Sequence, residues 1–485
     1  MLYHSTRNKN ITVDSAQAVL SGLAPDGGLY VPEKLPEIDV TACLQEDTIA
    51  MAARIIGALL PDIPDMDALV ERAYRGKFQT DALTPSVDTG KFTVLELFRG
   101  PTSAFKDVAL SMLPQLMSAA KQVKGVQEDI LILTATSGDT GKAALTGFQD
   151  VPGVKICVFY PDGGVSAVQR AQMVTQEGEN VAVCAVRGNF DDAQTGVKNI
   201  FATTVNGCLT EGNCLRLSSA NSINIGRLAP QIIYYFKAYA DLLRGGKIKM
   251  GDEVNFCVPT GNFGNILAGW LAKQLGLPVG KLICASNANN VLTDFITTGT
   301  YDRRRILHKT DSPSMDILVS SNLERLLYLL SEDDVLVADL MKQLNQNGFY
   351  TVPASLLYKI QAFFWAGWCD DAKGAQTIRS VWQEQQYLCD THTASGWAVA
   401  EDYVNQTGDT RPVVVLSTAS PYKFPAAVLA AIGGDTAGDE FTQMETLERV
   451  TGIAIPGNLA GLREKAERHN AVIDKDKMRQ FVLSL

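Results

Sequence analysis

Histidine is scarce in this chain. His4, His308, His392 and His469 are the only four in 485 residues, and they lie too far apart to indicate an imidazole-based metal site. The nine cysteines are odd in number and contain no Cys-x-x-Cys pair, so neither a disulfide framework nor a zinc site is indicated. No block of Lys and Arg is large enough to coat a face, and the formal net charge is −10, which argues against nucleic acid as a partner. No uninterrupted apolar run is long enough to span a membrane, and no charged-then-apolar signal pattern opens the chain. A cytoplasmic protein with no membrane partner is the expectation. Neither a repeat nor a low-complexity tract is present.

What is present is ample core-forming material. A hydrophobic content of 46% over 485 residues can fill two to four domains. Residues 1–92 read as a separate, mostly helical region: Thr12 to Leu20 ends at Gly22, Pro25 to Gly28 is a turn, and Thr48 to Leu60 has helical spacing until Pro61 and Pro64. From about residue 92 the pattern becomes short apolar strands, small-residue loops and amphipathic helices in alternation. Ile130–Leu133, Lys155–Tyr160, Val181–Val186, Cys214–Leu217, Val254–Val258, Leu282–Ala285 and Val413–Leu416 are the strand candidates. Continuous apolar strands alternating with helices predict parallel sheets covered on both faces, with ligands gathered beyond the strands' carboxyl ends.

Several of the loops carry chemistry. Lys106 follows the Gly100-Pro101 interruption and sits between Phe105 and Asp107. It reads either as a solvated surface lysine or as an amine held in a dry pocket, where a lowered pKa permits a Schiff base. Gly261-Asn262-Phe263-Gly264-Asn265 joins a strand to a helix, which makes it either a phosphate cradle at a helix N-terminus or a plain turn. Gly138 to Lys142 imitates a P-loop, but that motif needs Gly at 136 and Ser or Thr at 143, where this chain has Thr136 and Ala143. Asp88-Thr89-Gly90 and Asp139-Thr140-Gly141 imitate an aspartic protease pair without its two comparable lobes. What remains around Ser137 and Thr140 is a donor-rich loop suited to a carboxylate, or a simple connection. Asn221, Ser222 and Arg227 supply amide, hydroxyl and guanidinium donors, unless they merely cap a helix. Thr418 either points its hydroxyl inward or caps the next helix.

Taken together, these residues carry a resemblance. Glu96-Leu97-Phe98-x-Gly100-Pro101-Thr102-x-Ala104-Phe105-Lys106-Asp107 resembles the lysine motif of threonine synthases, which are fold-type-II pyridoxal-phosphate enzymes. The likeness extends to 136–141, to Asn221–Asn224 with Arg227, to 261–265, to Ser312–Ile317 and to Leu416–Ala419. Tyr3-x-Ser5-Thr6-Arg7 and the turn Gly22 to Pro32 are similar to the longer form of that family.

The resemblance implies an α/β fold-type-II architecture: parallel sheets flanked by helices in two main domains, plus the N-terminal region. The implied boundaries are 1–92, a smaller unit at 107–217, and a larger unit at 93–106 with 218–485. It implies pyridoxal 5'-phosphate as cofactor, held by Lys106 as a Schiff base, with its phosphate on Gly261, Asn262, Phe263, Gly264 and Asn265. Thr418 would meet the pyridine nitrogen and Asp139 the ring oxygen. Many fold-type-II enzymes have Asn at the place of Asp139, so its role and ionisation stay open. Ser137 and Thr140 would take the substrate carboxylate; Asn221, Ser222 and Arg227 would take its phosphate. The implied reaction converts O-phospho-L-homoserine and water to L-threonine and phosphate by γ-elimination and β-addition, in a monomer or homodimer. A phospholyase yielding 2-oxobutyrate and a catalytically silent regulatory relative are the alternatives.

Overall fold

The structure, a computed structural model, describes residues 1–136, 138–204, 208–209 and 215–485. The N-terminal region holds the two expected helices, Ser15–Ser21 and Thr48–Leu59, and two more at Val40–Gln45 and Met66–Tyr74, but it opens with a sheet that composition did not indicate. Strands β1 (Leu2–Ser5), β2 (Asn8–Asp14) and β3 (Tyr30–Pro32) pair antiparallel in the order β2-β1-β3. Polar, largely uncovered β2 gives no apolar signal, so Thr12 and Val13 read as helix. They end β2 instead, and the Asp14 carboxylate caps the helix by accepting from the Gln17 N–H.

Two six-stranded sheets carry the rest. Along the chain come β4 (Ser86–Asp88), β5 (Thr93–Glu96), β6 (Ile130–Ala135), β7 (Val154–Pro161), β8 (Val181–Arg187), β9 (Cys208–Leu209) and β10 (Leu215–Ser218). Then follow β11 (Val254–Pro259), β12 (Val279–Ser286) and a small ladder of β13 (Thr300–Asp302) with β14 (Phe349–Thr351). β15 (Phe364–Trp368), β16 (Val413–Ser417) and β17 (Ala471–Asp474) complete the set. One sheet runs β15-β12-β11-β16-β5-β4 and the other β17-β8-β7-β6-β10-β9. Both are parallel except at the β4–β5 and β9–β10 edges. The central strands are apolar throughout because both faces are covered. β11 and β16 have every residue buried. Cys214 lies outside the described residues, so the fourth strand candidate is seen only from Leu215.

The end of the chain differs from the sequence-based division. Residues 218–485 were assigned to the larger unit, yet β17 pairs in parallel with β8 of the other sheet. Met478 and Val482 then cover that sheet's outer face against Leu133, Phe159 and Val186. The cause is apolar surface: 107–217 leaves one face of its sheet without a full cover, and the C-terminal segment supplies it. The long helix expected from about Asn224 to Leu243 is also broken. It runs as Ile225–Leu228, a 3-10 turn at Ala229–Ile232 and Ile233–Arg244, since Pro230 offers no N–H to the ladder. No helix among the described residues is long and apolar enough to cross a membrane.

Candidate active site

The segment after β5 is stitched to the carboxyl end of β16. Leu97 N donates to Ser417 O at 2.9 Å, Phe105 N to Thr418 O at 2.8 Å and Ser420 N to Ser103 O at 3.1 Å. Inside this loop the Asp107 carboxylate accepts from the Thr102 N–H at 2.9 Å and from the Thr102 hydroxyl, which shapes the turn that ends at Lys106. A Cβ on Gly100 would lie 2.4 Å from Asp107, so only glycine fits there. Lys106 thus becomes the first residue of the helix Lys106–Val123. Burial pushes its amine down to about 8; Asp139 opposes that fall, and Arg227 and Lys423 add to it. The amine lies 3.3 Å from Ser314 Oγ and 4.7 Å from the centre of the Phe105 ring.

The turn at 261–265 lies on the far side of Ser314. A Cβ on Gly261 would come within 2.6 Å of the Ser314 carbonyl oxygen, so this crossing requires glycine. Phe263 adopts a left-handed backbone (φ 66°) and hands the chain to the helix Gly264–Gln274. Ser320 Oγ donates to Gly261 O at 2.7 Å and Asn322 N to Asn262 O at 3.0 Å. Asn265 Oδ1 accepts from the Tyr234 and Tyr235 hydroxyls at 2.6 and 3.1 Å, while its buried Nδ2 has no partner among the described residues. Gly261→Ala is expected to push the Ser314 turn aside and weaken cofactor retention by about 1–3 kcal/mol, read as a raised dissociation constant for pyridoxal phosphate.

The same 320–322 segment reaches the strip at 221–227. Asn322 Nδ2 donates to Ser222 O at 3.0 Å, and the Ser222 and Ser321 hydroxyls are 3.4 Å apart. Asn221 is exposed and Ser222 half-buried. Arg227 is 4% exposed; its Nη1 donates to Ala220 O at 2.6 Å, and its Nε has no partner among the described residues. Burial lowers this guanidinium to about 10. No carboxylate among the described residues forms an ion pair with it. A buried, uncompensated cation is costly, and an anionic ligand would relieve that cost.

The loop after β6 closes the arrangement. Thr136 Oγ1 accepts from the N–H groups of Gly138 and Gly141 at 3.0 and 2.9 Å, which ties the turn at the start of the helix Asp139–Phe148. Thr140 is half-buried at that helix start; Ser137 lies outside the described residues. Asp139 is in an ion pair that sequence reasoning missed. Lys423 Nζ sits 2.9 Å from Asp139 Oδ1, and Gln169 Nε2 donates to the same oxygen at 3.1 Å. Burial alone would raise the Asp139 carboxyl, but the Lys423 and Lys106 ammoniums override it and hold the group ionised, below the usual carboxylate range. Lys423 also donates to Gln172 Oε1 at 2.8 Å and Thr102 O at 3.3 Å, so its three N–H bonds are all used. The one sequence signal for Lys423 was its place five residues beyond Thr418, on the same loop after β16.

Thr418 is buried and its carbonyl accepts from Phe105, one residue before the lysine. Lys106, the 261–265 turn, the 221–227 strip, Asp139 and Thr418 therefore gather at the carboxyl ends of the parallel strands, where a ligand crevice is expected in such folds. These residues fit pyridoxal phosphate: a half-buried amine of lowered pKa for the aldehyde, and a glycine turn at a helix N-terminus, with an amide unpartnered among the described residues, for the phosphate. A pyridoxal-phosphate-dependent enzyme is the class that this fold and crevice define.

Comparison with known proteins is consistent with that class and narrows it. Residues 79–355 match the family described as pyridoxal-phosphate dependent enzyme, residues 2–74 match threonine synthase N terminus, and residues 393–482 match threonine synthase, C-terminal. The chain is 39% identical to threonine synthase of Pseudomonas aeruginosa over 476 residues, covering 96% of this chain and 95% of that one. It superposes on PLP-bound threonine synthase from Brucella melitensis with a TM-score of 0.88 at 37% identity, covering 99% and 98% of the two chains. For yeast threonine synthase the TM-score is 0.89 at 32% identity, with 100% and 98% covered. The chain belongs to the threonine synthase family. It is also 41% identical to threonine synthase-like 1 of Macaca fascicularis, of whose length it spans 58%.

Proposed function

We propose that the protein is a threonine synthase, a pyridoxal-phosphate-dependent carbon–oxygen lyase that converts O-phospho-L-homoserine and water to L-threonine and phosphate. The observation that carries this reading is the closeness of two cationic side chains: the half-buried amine of Lys106, which burial lowers, and the buried guanidinium of Arg227, which has no ion-pair partner among the described residues. The cofactor supplies an electron sink for charge developed on the substrate's carbons. Lys106 holds it and takes the Cα proton. The amine's fall to about 8 lets a useful fraction act as a base near neutral pH. Gly261, Asn262, Phe263, Gly264 and Asn265 would bind the cofactor phosphate through backbone N–H groups and the Asn265 amide. Thr418 would serve the pyridine nitrogen. Asp139, held ionised in a neutral pair with Lys423, would serve the ring oxygen.

Substrate binding falls to two strips of donors. Ser137 and Thr140, with neighbouring N–H groups, take the carboxylate. Asn221, Ser222 and Arg227 take the phosphate, which offsets the cost of the buried guanidinium. An acidic chain of net charge −10 needs such concentrated local donors to hold two phosphates. The two six-stranded sheets, with the C-terminal β17 segment moving with the sheet of 107–217, would close over the substrate as two bodies. The enzyme would act in the cytoplasm as a monomer or homodimer.

Incubation with O-phospho-L-homoserine and separation of the products tests the reading. Threonine and phosphate in equal amounts are expected; abundant 2-oxobutyrate without threonine would overturn it. Arg227→Ala is expected to raise KM for the phosphorylated substrate by roughly 1.5–3 kcal/mol of lost charge-assisted bonding, with kcat less affected. An unchanged KM in that variant would remove Arg227 from the site.

A further inference from the structure

His392 is 1% exposed, and nothing above gives it a role. Its Nε2 accepts the Ser314 N–H at 3.1 Å, so that nitrogen carries no proton. The proton sits on Nδ1, which donates to Asp390 Oδ2 at 2.7 Å. Asp390 is fully buried and takes further N–H bonds from His392 and Thr393, both at 3.0 Å. The Phe424 ring, with centroids 5.0 Å apart, packs against the imidazole. On its other side Ser314 touches two parts of the crevice. Its hydroxyl lies 3.3 Å from the Lys106 amine, and its carbonyl lies where any side chain on Gly261 would collide.

We propose that His392, fixed in one tautomer by Asp390, is a positioning residue that acts through Ser314 to aim the Lys106 amine and seat the Gly261 turn. Lys106 has a single hydrogen-bond partner among the described residues, so the amine's direction depends on where Ser314 stands. The remainder of the 310–316 turn is anchored independently. Asp316 Oδ1 accepts from Asn287 at 2.8 Å, Asn289 at 2.9 Å and Thr310 at 2.8 Å. Loss of His392 therefore frees Ser314 without releasing the whole turn. A displacement of about 1 Å at a reacting amine is enough to cost up to roughly a hundredfold in rate. This inference rests on Lys106 being the cofactor lysine.

The test uses full-length protein stripped of cofactor and then supplied with pyridoxal phosphate. The growth of visible absorbance gives the attachment rate, and borohydride reduction with peptide mapping gives the attachment site. H392A is expected to slow attachment about tenfold and lower kcat with little change in KM, while H392Q, whose amide oxygen accepts the Ser314 N–H, recovers most of both. S314A/H392A is expected to be no worse than H392A, because both changes interrupt one path. Wild-type rates in H392A, no recovery in H392Q, or losses that multiply in the double variant would each overturn the proposal. Should H392A not fold, S314A decides alone: slowed attachment supports the path, and wild-type attachment sinks it. Failure of the wild-type protein to label Lys106 would instead bring down the functional reading, and the positioning role with it.

Discussion

Lys106→Ala is expected to abolish turnover of O-phospho-L-homoserine, a loss of roughly 10³-fold or more, together with visible absorbance from bound cofactor. The expectation follows from the position of the amine. It is the half-buried primary amine that touches Ser314, beside the Gly261 turn, and desolvation has brought it to about 8. The fold should survive the change, because the side chain makes one 3.3 Å hydrogen bond and a contact with the Phe105 ring. Removing an amine whose charged form is disfavoured by burial should leave thermal stability the same or slightly higher. Turnover measured beside circular dichroism and thermal melting separates the two effects. Retained activity in a folded variant would contradict the assignment.

Lys423→Met is expected to have the largest effect on stability, about 3–5 kcal/mol, because it strands the Asp139 carboxylate in the interior. Both partners are buried, with side-chain exposures of 0% and 5%. The loss also cuts a bridge, since Lys423 follows β16 of one sheet while Asp139 and Gln172 follow strands of the other. The pH dependence has a definite sign. Asp139 titrates lower folded than unfolded, so its stabilising contribution is full above the ordinary carboxylate range and is lost as pH falls towards its folded value. The gap between wild type and variant should therefore be widest near neutrality and shrink in acid. Urea unfolding at several pH values measures it, and equal midpoints at neutral pH would contradict the pair's role.

The strand-loop-helix units were legible because their strands are buried on both faces and so appear as unbroken apolar runs. Val413–Leu416 and Ile130–Leu133 are examples, each ending in a loop of small residues. The N-terminal sheet was not legible: β2 shows no alternation, and β1 and β3 have only four and three residues. The return of β17 to the second sheet depends on an uncovered face that no local pattern announces. In the site, loop chemistry left Lys106 and the glycine turn each with a plain alternative, and the family resemblance singled them out. Ser314 stood in a noticed motif without a role. Lys423 and His392 could not be found this way, since their partners Asp139, Gln172 and Ser314 come from distant stretches of the chain. A buried lysine or histidine looks like any other until the chain is folded.

The central claim is that one amine, Lys106, carries the cofactor beside the Gly261 turn. Reduction of the cofactor-loaded protein with borohydride, followed by peptide mapping, tests it most directly. The account predicts a single pyridoxyl group, on Lys106. A label on Lys423, Lys142 or a surface lysine, with Lys106 unmodified, would contradict it.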